Sequence, residues 1–174
     1  MKDGEQKMAL EIERKFLVRS EAWRSKAEQS ITIVQGYLSR VPERTVRVRI
    51  MQAENLLRPE EGLTTRSVLT IKGLNRGAVR DEFEYPIPLS DAKHMIEEMV
   101  EDPVLSKTRY RLVDEGREWE VDVFGGNLRG LVLAEVELPG EDADVVLPDW
   151  VGEEVTGDAR YYNSNLMKER PEGE

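Results

Sequence analysis

The chain has no cysteine, which excludes disulfides and every thiolate-based metal site. Its single histidine, His94, all but removes the imidazole-built zinc centres as well. Any metal must therefore be held by carboxylate oxygens, which favours hard cations such as Mg²⁺, Mn²⁺ or Ca²⁺. No apolar run approaches the roughly 18 residues that a membrane-crossing helix needs. The segment Met1 to Met8 is polar and lacks the apolar stretch of a signal peptide. It reads as a short disordered lead, over 1–8, to one domain spanning 9–170. These absences fit a cytoplasmic protein with no membrane partner. Basic residues are also in deficit: 25 Lys and Arg against 35 Asp and Glu give a net charge of −10. That balance argues against duplex nucleic acid, because a phosphate backbone needs a basic face.

At 174 residues the chain can bury a real core. Period-two alternation predicts strands near 10–18, 33–39, 44–52, 67–73, 79–87, 106–113, 117–123 and 131–138. Turn signals separate most of them, among them Asn75-Arg76-Gly77, Asp114-Glu115-Gly116 and Gly125-Gly126-Asn127. Segment 54–66, with Pro59 and Gly62, reads as a long hairpin loop. Three helices are expected, over 20–28, over 90–100 and over 157–170. The second carries an apolar stripe of Ala92, Met95, Ile96 and Met99 behind Ser90. The fold class is mostly β (α+β): a closed eight-stranded antiparallel barrel with a charged lumen and helices packed outside.

The strand faces carry the chemistry. Glu11, Glu13 and Lys15 share one face of the first strand, and Arg47 and Arg49 one face of the third. Thr70 and Lys72 follow, then Arg80, Glu82 and Glu84, then Lys107, Arg109 and Arg111. Glu118, Glu120 and Asp122 alternate with Trp119 and Val121, and Glu135 and Glu137 with Ala134 and Val136. Strand by strand, a sheet with one solvated face explains this as well. Two features favour a site instead. The polar face is almost purely charged, and on several strands the signs are sorted into like pairs that repel one another. Sorted clusters make sense when something bridges them. Carboxylates two residues apart can chelate one hard cation, and arginines at that spacing can grip phosphate oxygens. A polyphosphate carrying a divalent metal needs both, and an eight-stranded barrel is just wide enough for one small ligand.

The residues Glu11-Ile12-Glu13-Arg14-Lys15 match an E-x-E-x-K signature. It is followed by Gln35-Gly36-Tyr37-Leu38, Arg47-Val48-Arg49, Thr70-Ile71-Lys72, Glu82-Phe83-Glu84, Lys107 to Tyr110, Glu120 to Phe124, Glu135-Val136-Glu137 and Glu154 to Tyr161. This ordered series, from about 9 to 168, resembles the CYTH superfamily, the triphosphate tunnel metalloenzymes. Within it the resemblance is to the small bacterial inorganic tripolyphosphatases. It implies an eight-stranded tunnel, one or two Mg²⁺ or Mn²⁺ ions and a small-molecule substrate ending in a triphosphate. On that basis Glu11, Glu13, Asp122, Glu135 and Glu137 are the candidate metal ligands. Lys15, Arg47, Arg49, Lys72, Lys107, Arg109, Arg160 and Tyr37 are the candidate substrate contacts. Lys15, Glu82, Glu84 and Glu120 are the candidate catalytic groups, with water as the nucleophile. The resemblance also implies a basic residue near the C-terminus that enters the tunnel, Arg160 or Lys168.

Other readings stay open at this level. A class IV-type adenylate cyclase, releasing cyclic AMP and pyrophosphate, would use the same tunnel. A non-catalytic polyphosphate- or nucleotide-binding module would bind without turnover. The 54–66 loop is long for the tripolyphosphatase group and could reshape one mouth. Oligomeric state, a homodimer included, is not fixed. Trp23, Trp119 and Trp150 read as packing anchors, and His94, Arg14 and Arg19 as surface residues. Tyr37 fits either the tunnel mouth or the barrel wall.

Overall fold

The computed structural model describes residues 10–166. Nine strands, β1 (Leu10–Val18), β2 (Ala27–Ser39), β3 (Arg44–Asn55), β4 (Thr64–Gly73), β5 (Val79–Pro86), β6 (Glu101–Asp114), β7 (Arg117–Phe124), β8 (Val132–Glu137) and β9 (Val151–Glu154), form one antiparallel sheet. Its order runs β5-β4-β3-β2-β6-β7-β8-β1-β9. A further pairing of β5 with β1 closes eight strands into a barrel, the architecture expected from the alternation. Closure depends on one short ladder, Leu10–Asp81, Glu11–Arg80 and Ile12–Val79. Beyond it β1 leaves β5 and takes β9 on that edge, while β8 pairs along its other edge.

Each predicted strand is present, and several are longer than the alternation suggested. β3 continues to Asn55 and β4 begins at Thr64, so the expected loop shrinks to 56–63, with a 3₁₀ turn at Pro59–Glu61. The helices differ more. The second is α1 (Leu89–Glu98), which packs on β2, β3 and β4 and buries Ala92. The first is only a 3₁₀ turn at Ala22–Lys26 that seats Trp23, and β2 starts directly after it. Over the described part of 157–170 the chain forms a 3₁₀ turn at Ala159–Tyr161 and further turns. Lys168 and the end of that segment, like the lead at 1–8, lie outside the described residues.

Because the lumen faces are charged, the apolar faces must be covered from outside. Ile12, Phe16, Trp119, Val121, Ala134 and Val136 form the outer surface of β1, β7 and β8. They are buried under Trp23, Leu138, Trp150 and Val151, with Ala143 and Val145 at the margin. Segment 139–150 and β9 therefore do the covering that helices were expected to do. Trp119 packs on Phe16 and Trp150 at ring separations of 5.8 and 5.4 Å, within the range of favourable aromatic pairs. A second cluster stoppers one end of the barrel. There Leu105, Phe124 and Leu133 continue the inner faces of β6, β7 and β8 two residues beyond Lys107, Asp122 and Glu135, and Leu128, Val155, Tyr161 and Leu166 pack onto them.

β9, which the sequence pattern did not reveal, lies close against β1. A Cβ added to Gly152 would sit 2.9 Å from the carbonyl oxygen of Leu17, a backbone atom that cannot turn aside. Gly152→Ala is expected to cost about 1–3 kcal/mol of stability, the scale of overpacking. A urea titration of the two proteins measures this directly.

Candidate functional site

Alternation places one face of every strand toward the barrel axis. The larger opening is a cavity of about 1390 Å³ lined by Glu11, Glu13, Arg47, Arg49, Lys72, Glu82, Glu84, Arg109, Glu120, Glu135 and Glu137 among others. A smaller space of about 50 Å³ at the stoppered end is lined by Lys15, Tyr37, Thr45, Arg80, Thr156, Tyr162 and Asn163. The two share Glu13, Arg47, Lys72 and Asn163, so they are parts of one tunnel. Most residues singled out from the sequence thus converge; Lys107 and Asp122 line neither space and join the cluster through the pairing of Asp122 with Arg109. Tyr37 is buried at the narrow end, with the Arg40 guanidinium 5.5 Å from its ring. Arg160 does not converge: it lies on the surface, 2.6 Å from Asp158, and lines neither space.

Strand register sets which charges meet. Lys15 faces Glu135 across β1 and β8 and reaches it at 3.0 Å. Lys72 faces Glu82 across β4 and β5 at 3.0 Å, and its ammonium lies 2.7 Å from Glu11. Arg109 faces Asp122 across β6 and β7, donating to it at 2.7 and 2.9 Å, and reaches Glu135 at 3.0 Å. Arg109 also pairs with Glu120, and Lys107 with Asp122. Glu120 takes a second base, Arg111, at 3.0 Å. Glu84 accepts from Thr70 at 3.3 Å and lies 3.5 Å from Arg66 toward the open mouth.

Asp122 is 1 % exposed, and Lys107 and Arg109 between them occupy both of its oxygens. Burial would raise its pKa, but Arg109 and Lys107 hold it down at about 2. It ties two bases to the wall. Burial and the nearby Arg109 and Arg49 pull Lys107 down to about 7 against the attraction of Asp122. Glu135 is likewise kept well below the usual carboxylate range, with Lys15 and Arg109 overriding its burial.

Two places break the neutrality. Arg47 and Arg49, neighbours on the inner face of β3, have no carboxylate within ion-pair distance among the described residues. Arg47 is 6 % exposed and donates only to the Thr70 hydroxyl at 3.3 Å, with its Nε unpaired. Arg49 donates to the carboxamide oxygen of Gln35 at 3.0 and 2.8 Å. Burial, then Arg47 and Arg109, lower its pKa to about 9. Among the acids, Glu13 makes no ion pair within the described residues. Burial, then the adjoining Glu135 and Glu11, raise it to about 7. Glu137, its register partner on β8, is also unpaired there.

Gln35 was missed as a site residue. It sits in the quoted Gln35-Gly36-Tyr37-Leu38 stretch, on a strand whose faces the sequence reading did not assign. The signal available was its place two residues before Tyr37, on the side that alternation sends inward. Tyr162 and Asn163 come from a segment predicted to be helical, and nothing in the sequence pattern pointed them at the tunnel; Thr156, just before it, lies in the quoted stretch Glu154 to Tyr161.

A hard divalent ion fits the acids in chemistry: Glu11, Glu13, Glu135 and Glu137 offer oxygen ligands only, and Glu13 makes no ion pair among the described residues, the charges of Lys15 and Lys72 only partly offsetting its burial. As they stand, no three acidic or imidazole groups among the described residues converge closely enough to hold one. Lys72 and Lys15 occupy oxygens of Glu11 and Glu135, so an ion would share those carboxylates with the lysines.

A closed antiparallel barrel whose lumen sets unpaired arginines near unpaired carboxylates is a tunnel for an anion and a cation together. Residues 9–167 match the CYTH domain family. The chain belongs to that family. An inorganic triphosphatase of Acetivibrio thermocellus is 44% identical over 161 residues, covering 92% of this chain and 95% of that protein. An inorganic triphosphatase of Nitrosomonas europaea is 35% identical, covering 92% of this chain and 99% of that protein. A solved inorganic triphosphatase crystal structure matches at 33% identity and a TM-score of 0.60, covering 93% of this chain and 97% of that one.

The raised pKa of Glu13 has a thermodynamic consequence. Between pH ~4.5 and ~7 the folded protein keeps a proton that the unfolded chain has released, so stability falls as pH rises through that window. Above it the penalty is fully present. Glu13→Gln removes the penalty, so in EDTA the variant is expected to melt above the wild type at pH 8. The gap should close toward pH 4.5. Calorimetric Tm values for both proteins across this range check the sign.

Proposed function

We propose that this protein is a divalent-metal-dependent hydrolase of inorganic triphosphate, with Mg²⁺ or Mn²⁺ as the metal. One observation carries the reading: among the described residues Arg47 and Arg49 are buried in the tunnel without acid partners, and the half-buried Glu13, which lines the same spaces as Arg47, makes no ion pair. Such an arrangement is costly when empty, because unpaired buried charge is poorly solvated. A metal-chelated polyphosphate removes both deficits at once. The two relatives named inorganic triphosphatase, each matched over 92% of this chain, support the same conclusion.

In this reading Arg47 and Arg49 grip phosphate oxygens through charge-assisted hydrogen bonds. Arg109, Lys107, Lys15 and Lys72 add positive charge while held in place by Asp122, Glu135, Glu11 and Glu82. Asp122, which lines neither space and is enclosed by Lys107 and Arg109, serves the bases; Glu11, Glu13, Glu135 and Glu137, which line the larger cavity, would hold the metal. The bound metal would supply charge neutralisation and acidify a water for in-line attack. Glu82, Glu84 or Glu120 would serve as the acceptor for the proton of the attacking water. Most of what phosphoryl transfer requires is positioning and stabilisation of charge on the phosphates, which the fixed bases provide.

Tripolyphosphate and ATP, each with Mg²⁺, Mn²⁺ or Ca²⁺ and with EDTA, test the reading when orthophosphate, pyrophosphate and cyclic AMP are quantified together. Orthophosphate and pyrophosphate from tripolyphosphate, absent in EDTA, are expected. Cyclic AMP from ATP would instead identify a cyclase, and tight binding without products would identify a binding module. Ca²⁺ is expected to inhibit, because its larger and looser shell disturbs the geometry that Mg²⁺ enforces.

Two variants refine the assignment. Glu11→Gln should lower kcat/KM on the order of 100-fold or more, the scale of losing one group that stabilises transition-state charge. Arg47→Ala should weaken tripolyphosphate binding by about 2–5 kcal/mol, the cost of truncating a desolvated charge contact. Circular dichroism should show both variants folded, and wild-type rates in either would remove the tunnel from the mechanism.

A further inference from the structure

The lumen uses two ways of holding a base. Arg109 is held by acids: Asp122 at 2.7 Å, Glu135 at 3.0 Å and Glu120. Its charge is answered by the protein itself. Arg49, on β3 with β2 between it and β6, lines the same lumen and is held by an uncharged group. Gln35 is its register partner on β2, and the Gln35 carboxamide oxygen accepts from both Nε and Nη2 of Arg49, at 3.0 and 2.8 Å. The orientation of the amide follows from chemistry, because two donors of a cation require the oxygen and would repel the NH₂ group.

Gln35 is 0 % exposed, so water cannot replace its oxygen. Its own Nε2 has no partner among the described residues, a cost that packing alone does not explain. Two of the five guanidinium N–H groups are committed to Gln35, which leaves three. Those three belong to the end of a side chain that lines the larger cavity. A carboxylate at position 35 would hold Arg49 at least as firmly, but it would also cancel the charge.

We propose that Gln35 is a positioning residue for anion recognition: it fixes the Arg49 guanidinium in the tunnel through a neutral acceptor, leaving its positive charge and free N–H edge for a phosphate group of the substrate. The inference rests on the triphosphate reading of the same site. It adds a residue that touches no substrate and acts only through Arg49.

Binding and turnover are measured separately. Titration calorimetry of inorganic tripolyphosphate in EDTA reads anion affinity without catalysis, and orthophosphate release with Mg²⁺ reads the reaction. Gln35→Glu keeps the shape and the hydrogen bonds but adds the missing counter-charge. Its melting temperature should match or exceed that of the wild type, while its affinity for tripolyphosphate falls about tenfold or more, the scale of one charged hydrogen-bond contact. KM should rise more than kcat falls, and the dependence of affinity on salt should flatten, because one fewer uncompensated cation meets the anion.

Gln35→Met, which releases Arg49 without adding charge, should also weaken binding. In an Arg49→Met background it should add nothing further, since coupled residues are non-additive when one acts through the other. Wild-type affinity in Gln35→Glu overturns the proposal, as does full additivity of Gln35→Met with Arg49→Met. A wild-type protein that fails to bind tripolyphosphate in EDTA also overturns it. A wild-type protein that binds it with this dependence on Gln35 yet releases no orthophosphate upholds the proposal and removes only the hydrolase reading.

Discussion

The tunnel depends on acid–base pairing between strands in register. Charges facing a barrel axis are poorly solvated, and the chain places many of them there. What makes this tolerable is that antiparallel register sets Lys15 against Glu135, Lys72 against Glu82 and Arg109 against Asp122. Each pair spans two adjacent strands, so the same contacts that neutralise the lumen also fix the register that creates them. A slip of one residue would turn every one of these charges to the apolar exterior. Removing one partner of such a buried pair costs more than the pair contributes, because the other charge is stranded.

Against that neutral background the exceptions acquire meaning. Among the described residues, the buried Arg47 and Arg49 on β3 and the half-buried Glu13 on β1 are charges that the pairing leaves out. Unpaired charge of opposite sign in one tunnel does not form a salt bridge here: the arginines sit on β3 and Glu13 on β1, with β4 and β5 between them around the barrel. The barrel thus keeps the two deficits apart, at the price of an unstable empty site. A ligand that is both anionic and metal-bearing fits the separation, whereas a simple anion would satisfy the arginines alone.

Period two made the barrel strands legible, since charged and apolar residues alternate too cleanly on β1, β7 and β8 for any other element. The lumen residues followed from the same pattern. β9 was not legible: Val151-Gly152-Glu153-Glu154 is short, and its pairing with β1 depends on the absent side chain of Gly152. The segment after Gly157 has helix-forming residues but packs Tyr161 and Leu166 into the barrel end, and that tertiary demand sets its turns. Arg160 was a candidate tunnel base because the resemblance implies a basic residue near the C-terminus that enters the tunnel. The 3₁₀ turn instead gives it to Asp158. Gln35 could be placed on the inner face from alternation, but its role is a relation to Arg49 across two strands, which no local pattern contains.

A charged lumen forces the hydrophobic core outward, and this separates stability from chemistry. The cluster around Trp23, Trp119 and Trp150 lies on the outer side of β1, β7 and β8. The second cluster, around Phe124 and Leu166, closes the barrel end. Burial of these large aromatic and aliphatic groups contributes on the order of 1.5–3 kcal/mol each. None of it depends on which ions occupy the tunnel. Lumen side chains can therefore change with small effects on the fold wherever the change does not strand a buried partner. That condition divides the lumen in two. Glu13, Arg47 and Arg49 have no ionic partner to strand, so the residues most exposed to a ligand are also those whose replacement least endangers the barrel. Asp122 and Glu135, each serving two bases, are the opposite case, and they couple the site to the wall that carries it.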